Sequence, residues 1–91
     1  MYDSLSDLAQ DVLDAAALPD ADRWVAMTAF EAGEDRWAIC DAVLGTTRPL
    51  PIDLVDAVQE DLDDGLFDDL PELHNTLMGA LAEMRSAAES G

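Results

Sequence analysis

Apolar residues recur along this chain at helical spacing. Leu5, Leu8, Ala9, Val12 and Ala16 fall three and four positions apart, the spacing that puts side chains on one face of a helix. Asp3, Asp7, Asp11 and Asp14 form a second stripe almost opposite. The pattern predicts a helix over about 4–17. Ser4 is its N-cap and Asp7 lies in the first turn, where a carboxylate meets the positive end of the helix dipole. Leu18-Pro19-Asp20 should end this helix and cap the next, which runs over about 21–32. From Trp24 to Phe30 that second segment carries no charge. A helix apolar almost all round is normally the buried one, so Trp24 and Phe30, with Trp37, are expected in the core.

Gly33 interrupts the pattern, and Glu34-Asp35 reads as the acidic first turn of a helix ending near Leu44, with Gly45 as its C-cap. Trp37, Cys40 and Leu44 share a face there, with Ile39 and Val43 beside them. Thr46-Thr47-Arg48-Pro49-Leu50-Pro51 reads as a linker, and Pro51 suits the first turn of the following helix. In that helix Leu54, Val55, Val58 and Leu62 make the apolar stripe, and Asp53, Asp56, Glu60 and Asp63 line the other side. Gly65 breaks it. Asp69 and Glu72 suit a cap and first turn around Pro71, and Leu70, Leu73, Leu77, Leu81 and Met84 carry a last helix to about Ala88. Nothing alternates as a strand and no internal repeat is visible. The expectation is a single all-α domain over residues 1–91, a small bundle of four to five short helices, orthogonal or up-down.

Length is consistent with one core. Apolar residues make up 49% of the 91 positions, too many for a disordered chain. Cys40 is alone, which rules out an intrachain disulfide and suggests a small buried hydrophobe. The opening Met1-Tyr2-Asp3-Ser4 has no basic segment of the kind that precedes a signal sequence. No run approaches the roughly 18 apolar residues of a membrane span. The cytoplasm is the expected compartment, with no membrane partner.

Charge changes the picture most. Fifteen Asp and six Glu face four Arg and no Lys, for a net charge of −17. A domain of this length is roughly 30 Å across, and 30 Å of B-DNA carries roughly 18 phosphates. Such a surface argues against direct binding to nucleic acid and for a basic protein as partner, foremost a nucleic-acid-binding one. The competing explanation is bulk acidity from genome composition or salt adaptation, since net charge speaks to solubility as readily as to partners.

The densest acidic segment, Glu60 to Glu72, holds seven acids in thirteen residues. A calcium loop wants oxygen ligands at loop positions 1, 3, 5 and 12 around a glycine at 6. With Gly65 at position 6, Leu62 takes position 3 and Pro71 position 12, so that register fails and no metal or cofactor is expected. Read as a surface, Asp7, Asp11 and Asp14 on the first helix join Asp53, Asp56, Glu60, Asp61, Asp63, Asp64, Asp68, Asp69 and Glu72 as candidate partner-binding residues. Helical carboxylates three, four and seven apart stand about one turn, 5.4 Å, from one another, in rows that resemble phosphates in sign and spacing. They repel one another, and Asp is a poor helix former, so an ordinary solvated face would do better with Glu and Lys.

Other features are weaker. Ala29-Phe30-Glu31-Ala32-Gly33 followed by Ile39 has helix-turn-helix spacing. Its second helix offers only Arg36 against Asp35 and Asp41, so the basic footprint of a DNA reader is missing. His74 is the only histidine, no phosphate loop or nucleophile triad is present, and no catalytic residue is expected. Tyr2, Phe67 and Met84 are candidate exposed anchors. A homodimer through Leu73, Leu77, Leu81 and Met84 is possible, although the same stripe more simply closes the monomer core.

The opening Tyr2-Asp3-Ser4-Leu5-Ser6-Asp7-Leu8-Ala9 resembles segments of acidic antirestriction proteins that mimic DNA. The likeness ends after these eight residues, and no residue role is taken from it. The function expected is that of an acidic inhibitor of a basic nucleic-acid-binding protein, acting as a DNA mimic, as in phage anti-defence or anti-restriction proteins. The alternative is a small helical adaptor or regulatory subunit that binds through an apolar helix face, its acidity serving solubility.

Overall fold

A computed structural model describes residues 4–90; Tyr2 and Asp3 lie outside them. It is an all-α bundle of five helices: α1 (Leu5–Ala15), α2 (Asp20–Glu31), α3 (Asp35–Gly45), α4 (Ile52–Asp63) and α5 (Pro71–Ser90). The expected fold class and order of elements hold. Its extents are 36 × 29 × 26 Å.

Local chemistry sets most of the helix ends. The Asp7 amide donates to Ser4 Oγ at 3.2 Å, which caps α1. α2 and α4 end alike. The Gly33 amide donates to Phe30 O and the Glu34 amide to Ala29 O; the Gly65 amide donates to Leu62 O and the Leu66 amide to Asp61 O. Each pair is a Schellman closure, which requires the left-handed residue that glycine tolerates best, and Gly33 and Gly65 have φ of 80° and 102°. Gly45 differs from expectation. It is the last residue of α3 rather than a left-handed cap, and a Cβ there would stand 3.1 Å from Leu18 Cδ2, so it serves close packing. Pro19 and Pro51 are the N-caps of α2 and α4, which moves Asp20 into the first turn of α2 and Pro51 just ahead of α4.

The linkers before α2 and α4 are tied together. The Thr47 amide and hydroxyl both donate to Ala17 O, at 2.8 and 3.0 Å, and the Ala17 amide donates to Thr46 Oγ1 at 3.0 Å. Arg23 Nη2 donates to Ala16 O at 3.2 Å. Side chains and backbone of one linker thus satisfy the polar groups of the other, which is what an ordered loop needs.

α3 is the central element. It packs on α1, α2 and α5, while α4 packs on α5 and α1. Leu8, Val12, Ile39, Val43, Val55, Val58, Leu62, Leu77 and Leu81 are fully buried between these helices, each stabilising the fold by about 1.5–3 kcal/mol relative to exposure. The stripe of α5 therefore closes the monomer core, and Met84 is buried with it, so neither serves as a free dimer face or an exposed anchor. Phe67 is also fully buried, the reverse of an exposed anchor. The turn after α4 folds back and drops its ring beside Trp37 on α3, edge to face with centroids 5.5 Å apart.

α2 overturns its sequence reading. Among its residues only Ala26 is buried; Trp24 is 69% exposed, Val25 47% and Met27 37%. The helix touches only α1 and α3, so one face is covered, and the side chain buried there is a small alanine that lets the backbones approach. Trp24, Val25 and Met27 point outward, whereas Phe30 is half-buried and packs against the core as expected.

Candidate acidic interface

The candidate carboxylates are on the surface: eleven of the twelve are exposed and Asp61 is half-buried. On α1, Leu8, Ala9, Val12 and Leu13 turn inward, which forces Asp7, Asp11 and Asp14 outward. With Gln10 these three line one shallow depression of about 400 Å³. Asp63 and Asp68 line a second, of about 280 Å³, with Gly65, His74 and Asn75. The acids are thus gathered as an α1 row and a cluster at the end of α4, with Asp53, Asp56 and Glu60 along the exposed side of α4.

Two members are neutralised within the chain. Asp69 receives both arms of Arg36, Nη1 to Oδ1 at 2.8 Å and Nη2 to Oδ2 at 3.2 Å. The same guanidinium lies 5.3 Å from the Trp37 ring and 5.2 Å from the Phe67 ring, and Nη1 also donates to Leu66 O at 3.4 Å. Hydrogen bonding from Arg36 holds the Asp69 carboxyl below its usual range. Asp69 is thereby a fastener of the turn 64–70 to α3, and Arg36 is not available to read DNA. Asp56 pairs with Arg85 Nη2 at 2.8 Å, and Arg85 also holds Gln59 Oε1 at 2.8 Å, pinning α5 to α4. These two partnerships span 33 and 29 positions of sequence, so no local pattern announces them.

Crowding is visible where acids meet. Burial first, then Asp64 and Glu60, push the Asp61 carboxyl above its usual range. On α3, burial and then Asp22 raise Asp41. Beside it, burial and then Asp41 push the Cys40 thiol up to about 11, which leaves it un-ionised and a poor nucleophile at neutral pH. Among the described residues no three His, Cys, Asp or Glu side chains are grouped to hold a metal ion, and no helix is long and apolar enough to cross a membrane.

One surface feature was not foreseen: the outward face of α2 with Trp24, Val25 and Met27. A clue existed in Ala26 and Ala29, small residues on the side of α2 away from Trp24. In α2 the small Ala26 sits at the contact, and the larger Trp24, Val25 and Met27 face away from it. A groove of about 610 Å³ also runs between Leu44–Pro49 and the Thr76–Met84 stretch of α5, mixed in polarity and open along its length. Comparison with protein-family models, curated proteins and solved structures found no significant match to this chain.

Proposed function

We propose that this protein is an acidic binding domain that occupies the nucleic-acid groove of a basic protein and inhibits it by imitating the charge of DNA. The observation that carries this reading is the α1 row together with the α4 cluster: carboxylates exposed at helical spacing and, Asp56 and Asp69 apart, without a basic partner among the described residues. Seventeen net negative charges over a longest extent of 36 Å amount to one per about 2.1 Å (36/17). B-DNA carries one per roughly 1.7 Å, counted on both strands. The linear charge of the two is therefore similar, and a groove that accepts a duplex meets comparable potential here. Retaining such rows works against folding, because like-charged neighbours one turn apart repel.

Binding of this kind is steered by long-range attraction and weakens steeply with salt. The test is affinity capture with the tagged chain from a lysate of its source organism, eluted in salt steps, with and without excess duplex DNA. The reading expects a nucleic-acid-binding protein that DNA displaces and modest salt releases. Capture should be lost in the variant Asp63→Lys/Asp64→Lys/Asp68→Lys or in Asp7→Lys/Asp11→Lys/Asp14→Lys. A partner that ignores DNA, salt and both reversals would refute charge mimicry.

A further inference from the structure

We propose that the outward face of α2 centred on Trp24 is the docking site for an amphipathic, cationic segment of the partner, a stretch of protein carrying alkyl side chains between arginines or lysines. The proposal rests on the partner being basic, as above, and adds where it anchors.

Trp24 at 69% exposure, Val25 at 47% and Met27 at 37% present three large apolar side chains on one short helix. Single exposed apolar residues are ordinary, whereas grouped ones mark interaction sites. Trp is enriched among the few residues that carry most of an interface's binding energy. Thr28 stands one turn after Trp24, and its hydroxyl donates to Trp24 O at 2.7 Å, so the one neutral polar side chain within this face is satisfied by its own helix. The face needs no polar partner at its centre.

Its ends define what can cover it. Asp20 lies four positions before Trp24 and Glu31 four after Met27, so carboxylates stand roughly one turn beyond each end of the patch, about 16 Å apart along the axis. The only cation of α2, Arg23, is bonded to Ala16 O. An occupant must therefore be apolar in the middle and positive at its margins. An indole beside carboxylates is also suited to a guanidinium, because the ring face attracts cations. The chain uses that combination itself, where Arg36 lies against Trp37 and Phe67 and is held by Asp69. A second copy is disfavoured as occupant, because it would bring seventeen further negative charges against an acidic rim. An apolar anchor also supplies what charge alone lacks: rows of carboxylates speed encounter with any basic surface, and a buried aromatic fixes one register.

The experiment titrates the ¹⁵N-labelled full chain with a synthetic peptide of leucine and arginine in helical spacing. A leucine–glutamate peptide serves as control, and the titrations are repeated with Trp24→Ala and with Asp63→Lys/Asp64→Lys/Asp68→Lys. The expected result is the largest shifts at the Trp24 indole and the amides of 21–28, with affinity for the leucine–arginine peptide about tenfold weaker or more in Trp24→Ala. Trp24 is exposed, so far-UV circular dichroism of that variant should match the parent. Shifts confined to the α1 and α4 acids, with Trp24→Ala within about twofold of the parent, would overturn the α2 proposal and leave charge mimicry standing. Equal binding of the leucine–glutamate peptide would also overturn it. So would a concentration-dependent dimer, seen by sedimentation, that the Trp24 substitution abolishes. Loss of binding in Trp24→Ala but not in the triple lysine variant would support the α2 face while removing the acidic cluster from the interface.

Discussion

Phe67 offers the sharpest test of how this small bundle is held together. It is fully buried, sits edge-on to Trp37 at 5.5 Å, and supports the Arg36 guanidinium at 5.2 Å. Truncating a buried Phe to Ala costs about 3–5 kcal/mol. Loss of an aromatic pair, about 0.5–1.5 kcal/mol beyond area, places this site in the upper half of that range. A 91-residue domain at about 0.05–0.15 kcal/mol per residue has a total of about 5–14 kcal/mol, and self-repulsion draws this chain toward the low end. Phe67→Ala should therefore remove most of the stability. Urea unfolding followed by far-UV circular dichroism is the measurement, in about 0.5 M salt so that the parent is well folded. Because the Ala variant stands near the threshold of unfolding, Phe67→Leu gives a second point, with an expected loss of about 1–1.5 kcal/mol. Trp24→Ala is the internal contrast: an exposed residue, expected within about 0.5 kcal/mol of the parent. If Phe67→Ala behaves like Trp24→Ala, the turn does not bury its ring and the placement of 64–70 against α3 is wrong.

Acidity should first stabilise the fold and then destabilise it. Asp41 and Asp61 titrate above 3.8 in the folded state, so on the way down to that pH the folded chain binds protons ahead of the unfolded one and stability rises. Asp69 is depressed. Its contribution is present above the unfolded value of 3.8 and is lost as pH falls through the lower folded value. The urea midpoint measured from pH 7 down to 3 should pass through a mildly acidic maximum; a steady decline from pH 7 would show that the crowded carboxylates are not under strain. Two glycines should respond in opposite senses. A Cβ on Gly79, inside α5, meets nothing within 4 Å, so Gly79→Ala should stabilise by about 0.5–1 kcal/mol. Gly65 at φ 102° closes α4, and Gly65→Ala should destabilise by about 1–2 kcal/mol. Thermal melts of the pair check both, and equal effects would mean that the backbone at residue 65 is not left-handed.

What the chain determined by itself lies within a few residues of each feature. Ser4 caps α1 because its hydroxyl reaches an amide three positions on. Gly33 and Gly65 end helices because their closures span six residues. The stripes of α1, α4 and α5 turn inward because helical periodicity places them together, and the Asp rows opposite them then face water. The tertiary structure decided the rest, since it depends on which elements become neighbours. α2 has helices on one side alone, so an uncharged run that reads as core becomes a surface with Trp24 outermost. Phe67 lies among acids in sequence, yet the turn delivers it to Trp37. Asp69 and Asp56 read as members of an acidic surface and are held by Arg36 and Arg85, 33 and 29 positions away. Periodicity tells which face of a helix is apolar; only the arrangement of its neighbours tells whether that face is covered.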